Sequence, residues 1–238
     1  MIFLGVDGCK IGWFVIAINS DGKTWEVRDF RSIRELWERY KNAALILIDI
    51  PIGLRDKGPA ERKCDLEARR LLGQRKYSVF RVPCRAAVHA STREERDINE
   101  SYTGKRLSKQ VINIIPKIRQ VDELICRVKT AKYIIKEIHP ELCFWGINGG
   151  NPMKHRKKTD KGFRERIEVL QAVYDQTEAV VKYSLKKYRR RHVARDDIAD
   201  ALVAAVTGVL GKGKGEFIPQ NGEYDSNGLP MRMLYYVC

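Results

Sequence analysis

The sequence predicts an α/β protein built on a mixed five-stranded sheet in the order β-β-β-α-β-α-β-α, with a basic helical insertion at about residues 52–130. Three observations predict it. Two β-branched apolar runs near the N-terminus are joined by a glycine-cornered turn. A later run, ALILID at 44–49, is apolar throughout, and much of the chain beyond Pro51 repeats its apolar residues at helical spacing.

Taken in order, IFLGVD (2–7) and WFVIAI (13–18) flank GCKIG and read as a hairpin. TWEVRDF alternates after the turn NSDGK, giving a third, antiparallel strand. Ser32 is placed to cap IRELWERYKN, with Glu35 three residues on in the capping-box position. The wholly apolar run at 44–49 wants cover on both faces, as in the parallel part of an α/β sheet. ERKCDLEARRLL, SVFRVPCR and LSKQVINIIPKIRQVDELICRV follow, and Pro116 inside the last predicts a kink or a break. YIIKEI at 133–138 is the fifth strand and HPELCFWGINGGNP a punctuated loop. A basic helix or helix pair fills 162–191, DDIADALVAAVTGVL is a helix ended by Gly211, and MRMLYYV reads as an edge strand. GKGKG at 211–215 lacks both the Ser/Thr and the strand-to-helix setting of a phosphate loop.

A chain of 238 residues, 44% hydrophobic, suits a single domain over 1–238 with no disulfide or metal staple. Its six cysteines form no C-x-x-C pair, and it opens on a strand-like run rather than a signal segment, which predicts a reduced, cytoplasmic protein. No stretch approaches the roughly 18 apolar residues of a membrane span. The net charge of +15 is concentrated mid-chain: residues 61–130 hold seventeen Lys/Arg against nine acids, and residues 131–195 sixteen against seven. Such a field favours polyanions, and nucleic acid is the expected partner.

Three apolar strand candidates finish on an acid: Asp7, Asp49 and Glu137. A right-handed crossover sets the fourth strand parallel to the first and the fifth beyond it, so their carboxyl ends lie side by side where α/β sheets bind ligands. The last helix adds Asp196, Asp197 and Asp200, with Asp200 sharing a face with either of the others. Capping and the helix dipole suffice to explain acids in the first turn, but not Asp200 in the second. Singly, each acid has a bland explanation in a turn or an ion pair. Together they would raise one another's pKa, and such a cluster calls for a cation, most simply one or two Mg²⁺ or Mn²⁺.

Arg69, Arg75, Arg81 and Arg85, interleaved with Tyr77 and Phe80, suit phosphate gripping as well as a solvated face, and Lys117 beyond Pro116 can aim at a phosphate. His139 is either a proton shuttle or part of a turn. The terminal MRMLYYV strand is a candidate for homodimer pairing across a two-fold axis.

In order along the chain, VDGCKIGW, IDIPIGL, RKCDLEARRLLG, SVFRVPCR, QVINIIPKIRQVD, KEIHPELCF and DDIADA resemble an uncharacterised family of predicted nucleases with a ribonuclease-H-like fold. More broadly, the strand order is similar to the Holliday-junction-resolvase branch of that superfold. The chain departs from the family near Val111, where an aromatic is usual, and near Gln120, where an acid is usual. The resemblance implies metal ligation by Asp7, Asp49 and either Asp197 or Asp200, with Glu137 carried over less firmly. It implies two-metal hydrolysis of phosphodiesters, leaving 5′-phosphate and 3′-hydroxyl ends. Two rivals stand beside it: a nucleic-acid binder without catalysis, separated by activity on labelled strands with Mn²⁺, and an ATP-dependent phosphotransferase, separated by a nucleotide-induced thermal shift.

Overall fold

The protein is described by a computed structural model covering residues 1–91 and 94–238. Its elements are β1 (Ile2–Cys9), β2 (Gly12–Asn19), β3 (Trp25–Phe30), α1 (Ile33–Tyr40), β4 (Leu45–Ile48), α2 (Lys63–Leu72), α3 (Arg85–Val88), α4 (Glu95–Thr103), α5 (Lys109–Arg127) and α6 (Ala131–Ile134). They continue with β5 (Ile135–Glu137), α7 (Pro140–Ile147), α8 (Asp160–Gln171), α9 (Thr177–Lys187), α10 (Arg195–Leu210), β6 (Glu216–Tyr224) and β7 (Pro230–Tyr235). The main sheet runs β3-β2-β1-β4-β5, with β1 central, β4 and β5 parallel to it in succession, and β2 and β3 antiparallel. This is the order expected from the crossover argument.

The hairpin register pairs Cys9 with Gly12 across a two-residue turn. Gly12 has φ +141°, and a Cβ there would stand 2.0 Å from the Phe30 carbonyl oxygen, so only glycine fits. Helices cover both faces. Phe3, Phe14, Ile16 and Leu47 pack with Phe144, Leu170, Val180 and Leu202 on one side. Leu4, Val6, Ile46 and Ile48 pack with Leu36, Trp37, Ile118 and Val121 on the other. Ser32 caps α1 by accepting from the Glu35 N–H at 3.2 Å, while the Glu35 carboxylate reaches back to the Arg31 N–H rather than to that of Ser32.

α10 lies directly on β1, and glycine makes this approach possible. A Cβ on Gly5 would meet the Ala201 carbonyl oxygen at 1.9 Å and the Ala205 nitrogen at 2.4 Å. Phe3, Gly5 and Asp7 alternate onto one face of β1. Phe3 faces Gly208 and Gly5 faces Ala201, so α10 runs antiparallel to β1 and brings its first turns over Asp7.

Three expectations needed revision. The 109–127 helix continues through Pro116 without a break, because Ile115, Ile118, Val121 and Ile125 are buried against the sheet and α3, which outweighs one missing backbone bond. The HPELCFWGINGGNP stretch is not a loop throughout, since Pro140–Ile147 form α7 with the proline at the start of the helix, where its missing N–H costs nothing. The MRMLYYV strand lies in a separate hairpin with β6 rather than on the main sheet, and it packs through Met231, Met233 and Tyr235 against α2. Among the described residues no helix is long and apolar enough to cross a membrane.

Candidate functional site

At the carboxyl ends of β1 and β4 and the first turns of α10, four aspartates come together, Asp7 and Asp200 buried and Asp49 and Asp197 half-buried. Asp7 is 9% exposed and Asp200 2%. Burial holds the Asp7 carboxyl well above the usual value, and the charges of Asp197, Asp49 and Asp200 raise it further. Burial, with Asp200 and Glu141, pushes Asp49 up to about 7. Asp197 is pushed up to about 6, again chiefly by burial, although its carboxylate accepts a 2.8 Å bond from the Ala194 N–H at the start of α10. Burial raises Asp200 as well. Desolvation and like charge act together here, the two causes that keep carboxyls protonated.

The counter-charge is Lys157, which sequence reasoning did not single out. Its ammonium donates to the Asp200 carboxylate at 2.5 Å and lowers the pKa of all four aspartates. Those partners in turn hold the ammonium of the half-buried Lys157 above the ordinary lysine range, against the desolvation that lowers it. Four carboxylates therefore share one ammonium.

Glu137 is not among them. It ends β5, as the sequence predicts, but Arg62 grips it with two bonds of 2.7 and 2.9 Å while also holding Asp65, and the Ile52 N–H donates to it at 2.6 Å. Burial still pushes Glu137 up to about 7. The carboxylate that reaches the aspartates electrostatically is Glu141, at the start of α7. One of its oxygens accepts from Arg166 at 2.5 Å and Arg75 at 3.2 Å, while the other is buried with no hydrogen-bond partner. His139 is half-buried near Glu141, its pKa lowered chiefly by desolvation, and its Nδ1 is unpartnered.

The basic residues expected to grip substrate are mostly engaged internally. Arg69 and Arg81 bind Glu61 and the carbonyls of Val79 and Pro59. Arg85 bridges Asp122 and the fully buried Asp225. Lys117 donates to the Gly12 carbonyl with its ammonium 4.4 Å from the Trp13 ring centroid, close enough to feel Asp7. Arg75 bonds Glu141 at 3.2 Å, on the same oxygen that Arg166 holds. Gln120, where an acid is usual, accepts from the Trp13 indole N–H at 3.0 Å and caps the Ile33 N–H, roles that fix α1 and α5 against the hairpin.

For metal ligation, the donor set of Asp7, Asp49, Asp197 and Asp200 is all oxygen, the preference of a hard divalent cation. Excess negative charge and the orphaned Glu141 oxygen fit such a cation. Among the described residues, however, only Cys64, Asp65 and Glu137 bring three potential ligand atoms within 4.8 Å of one another. Those two carboxylates are already spanned by the Arg62 guanidinium. The four aspartates stand wider apart, as unneutralised like charges do.

The profile of a family described as Protein of unknown function (DUF429) matches residues 5–223, a span that holds all four aspartates, Lys157 and Glu141. Comparison with curated proteins and with solved structures gave no match.

Proposed function

The chain belongs to this family of unknown function, and from that premise we propose that it is a metal-dependent nuclease of ribonuclease-H-like architecture. One observation carries the reading: four aspartates from β1, the end of β4 and α10 converge in a partly buried site against a single lysine. Such a cluster costs folding stability, and chains retain such costs where function needs them. The sheet order, with acids at the ends of adjacent parallel strands and a final helix over β1, supports the architecture.

Asp7, Asp49, Asp200 and Asp197 would hold one or two Mg²⁺ or Mn²⁺. Bound there, the cations supply Lewis-acid stabilisation of charge on phosphate oxygens and on an attacking water. Asp197 fixes the start of α10 through the Ala194 N–H, and so sets where Asp200 stands. Lys157 holds Asp200 in place and neutralises part of the cluster. Arg166, itself buried, orients Glu141 beside Asp49. The expected products end in 5′-phosphate and 3′-hydroxyl.

The test is Mn²⁺ calorimetry on parent and Asp7→Asn, joined to cleavage of labelled single strands, duplexes, hybrids and junctions. Mn²⁺ binding and cleavage by the parent alone are expected. A parent that binds Mn²⁺ no better than Asp7→Asn would overturn the metal reading, and Mn²⁺ binding with nucleic-acid binding but no cleavage would favour a non-catalytic binder.

A further inference from the structure

If Arg69, Arg81 and Arg85 are spent inside the molecule, the basic excess must present itself elsewhere. It does so on the segment that carries Lys157. Around that residue KHRKKTDKGFR (154–164) places Lys154, Arg156, Lys158, Lys161 and Arg164 on the exposed surface. A second run, Arg189–Arg191, is exposed just ahead of α10.

Asp160 joins the two runs. It accepts from Arg195 at 2.5 Å, and its carboxyl is held below the usual range by that bond and by the charges of Arg195, Arg164 and Arg190. The basic segments before α8 and before α10 are thus fastened side by side. Between α7 and α8 runs an open groove of about 650 Å³, lined by Asn148, Lys154, His155, Lys161 and Arg164. Two acids line it as well: Glu165 accepts from the backbone N–H groups of Lys154 and His155, at 2.7 and 2.9 Å, and so shapes the loop, while Glu168 is exposed on the groove wall against the three cationic side chains. That volume lies within the usual range of ligand clefts.

We propose that this groove and its basic rim bind the phosphate backbone of a nucleic-acid strand and lead it to the aspartate cluster. The inference rests on reading that cluster as a phosphodiester site. Continuity comes from Lys157 itself: its ammonium lies among the aspartates, while its chain neighbours Arg156 and Lys158 face solvent. Flexible exposed lysines and arginines without a fixed planar partner suit phosphates, which position a strand without reading its bases. Polymer rather than mononucleotide is indicated because the basic residues extend beyond the groove along both segments.

The experiment compares the parent with K154E/K161E/R164E and with K41E/K63E/K129E, which changes net charge equally at exposed sites elsewhere. Fluorescence anisotropy of labelled single-stranded DNA and RNA is measured in EDTA across a salt series. The groove variant should bind at least about tenfold more weakly than the control variant, with a log–log salt slope smaller by about two, the change expected for three lost phosphate contacts on a single strand. Equal loss in both variants would overturn the proposal, since net charge alone would then account for binding. Polyglutamate displacing the oligonucleotide as well as unlabelled strand would also overturn it, in favour of an acidic protein partner. Should the groove variant melt lower than the parent, K154Q/K161Q/R164Q replaces it.

Mn²⁺-dependent hydrolysis of a small phosphodiester, which does not reach the rim, separates the two readings. Its retention by the groove variant, with oligonucleotide binding lost, supports both. No hydrolysis and no Mn²⁺ binding in the parent, with oligonucleotide binding lost only in the groove variant, leaves the groove standing and removes the metal site.

Discussion

Two buried carboxylate clusters lie at neighbouring strand ends, and they differ in how they are neutralised. At the end of β5, Glu137 and Asp65 share one arginine whose planar fork makes short bonds to both. At the ends of β1 and β4, Asp7 and Asp49 join Asp197 and Asp200 around one lysine, which bonds only Asp200. Arginine gives several directed bonds and cannot lose its charge, which suits a permanent join between α2 and the sheet. A lysine bonded to one of four acids leaves charge over. The first cluster is neutralised within the fold, and the second is the one that our proposal gives a cation.

The largest way to break the comparison is Arg62→Ala. Removing one partner of a buried ion pair leaves uncompensated charge and costs about 3–5 kcal/mol. Urea denaturation should show that loss with Mn²⁺ affinity unchanged in the folded fraction; a loss comparable to a surface ion pair would place Glu137 and Asp65 in the other class. Next in size is the response to metal. The parent should gain about 2.7 kcal/mol of stability at a hundredfold excess of Mn²⁺ over its Kd. Asp7→Asn should gain none, while melting no lower than the parent without metal, because the carboxyl whose ionised form burial and neighbouring charge both oppose is gone. If Asp7→Asn melts several degrees lower and Mn²⁺ still stabilises it, Asp7 belongs with the structural acids.

Glu137→Gln sharpens the contrast from the other side. It should cost about 1–3 kcal/mol, the penalty for disturbing a buried bonded charge, and leave the Mn²⁺ isotherm as it was. An abolished isotherm would return Glu137 to the metal site. The smallest effect is on pH dependence. Between the ordinary aspartate value of 3.8 and about 6 for Asp197 or about 7 for Asp49, the folded chain holds protons that the unfolded chain has released. The contribution of these groups to metal-free stability therefore falls as pH rises through that window. Mn²⁺ must displace the same protons, so its affinity should fall as pH drops below about 7. Calorimetry giving the same affinity at both ends of the window would contradict the raised values.

Much of this was legible along the chain because it is local. Alternation and apolar runs marked β1 to β4, Ser32 and Glu35 marked a helix start, and the crossover rule ordered the sheet. Gly5 went unremarked, since only the approach of Ala201 and Ala205 gives it meaning. Asp7, Asp49, Asp197 and Asp200 were found because strand ends and a helix start converge by topology alone.

The sequence by itself determined where the acids stand on their elements, since the periods of strands and helices set which ends and faces carry them. Tertiary structure decided which cation meets which acid. Arg62 lies 75 residues from Glu137, Lys157 lies 43 from Asp200, and Arg85 lies 140 from Asp225. A long side chain with several charges within reach pairs according to packing and desolvation, which no spacing in the sequence records. For that reason the sequence shows neither the Arg62 fork on Glu137 nor the Lys157 ammonium on Asp200.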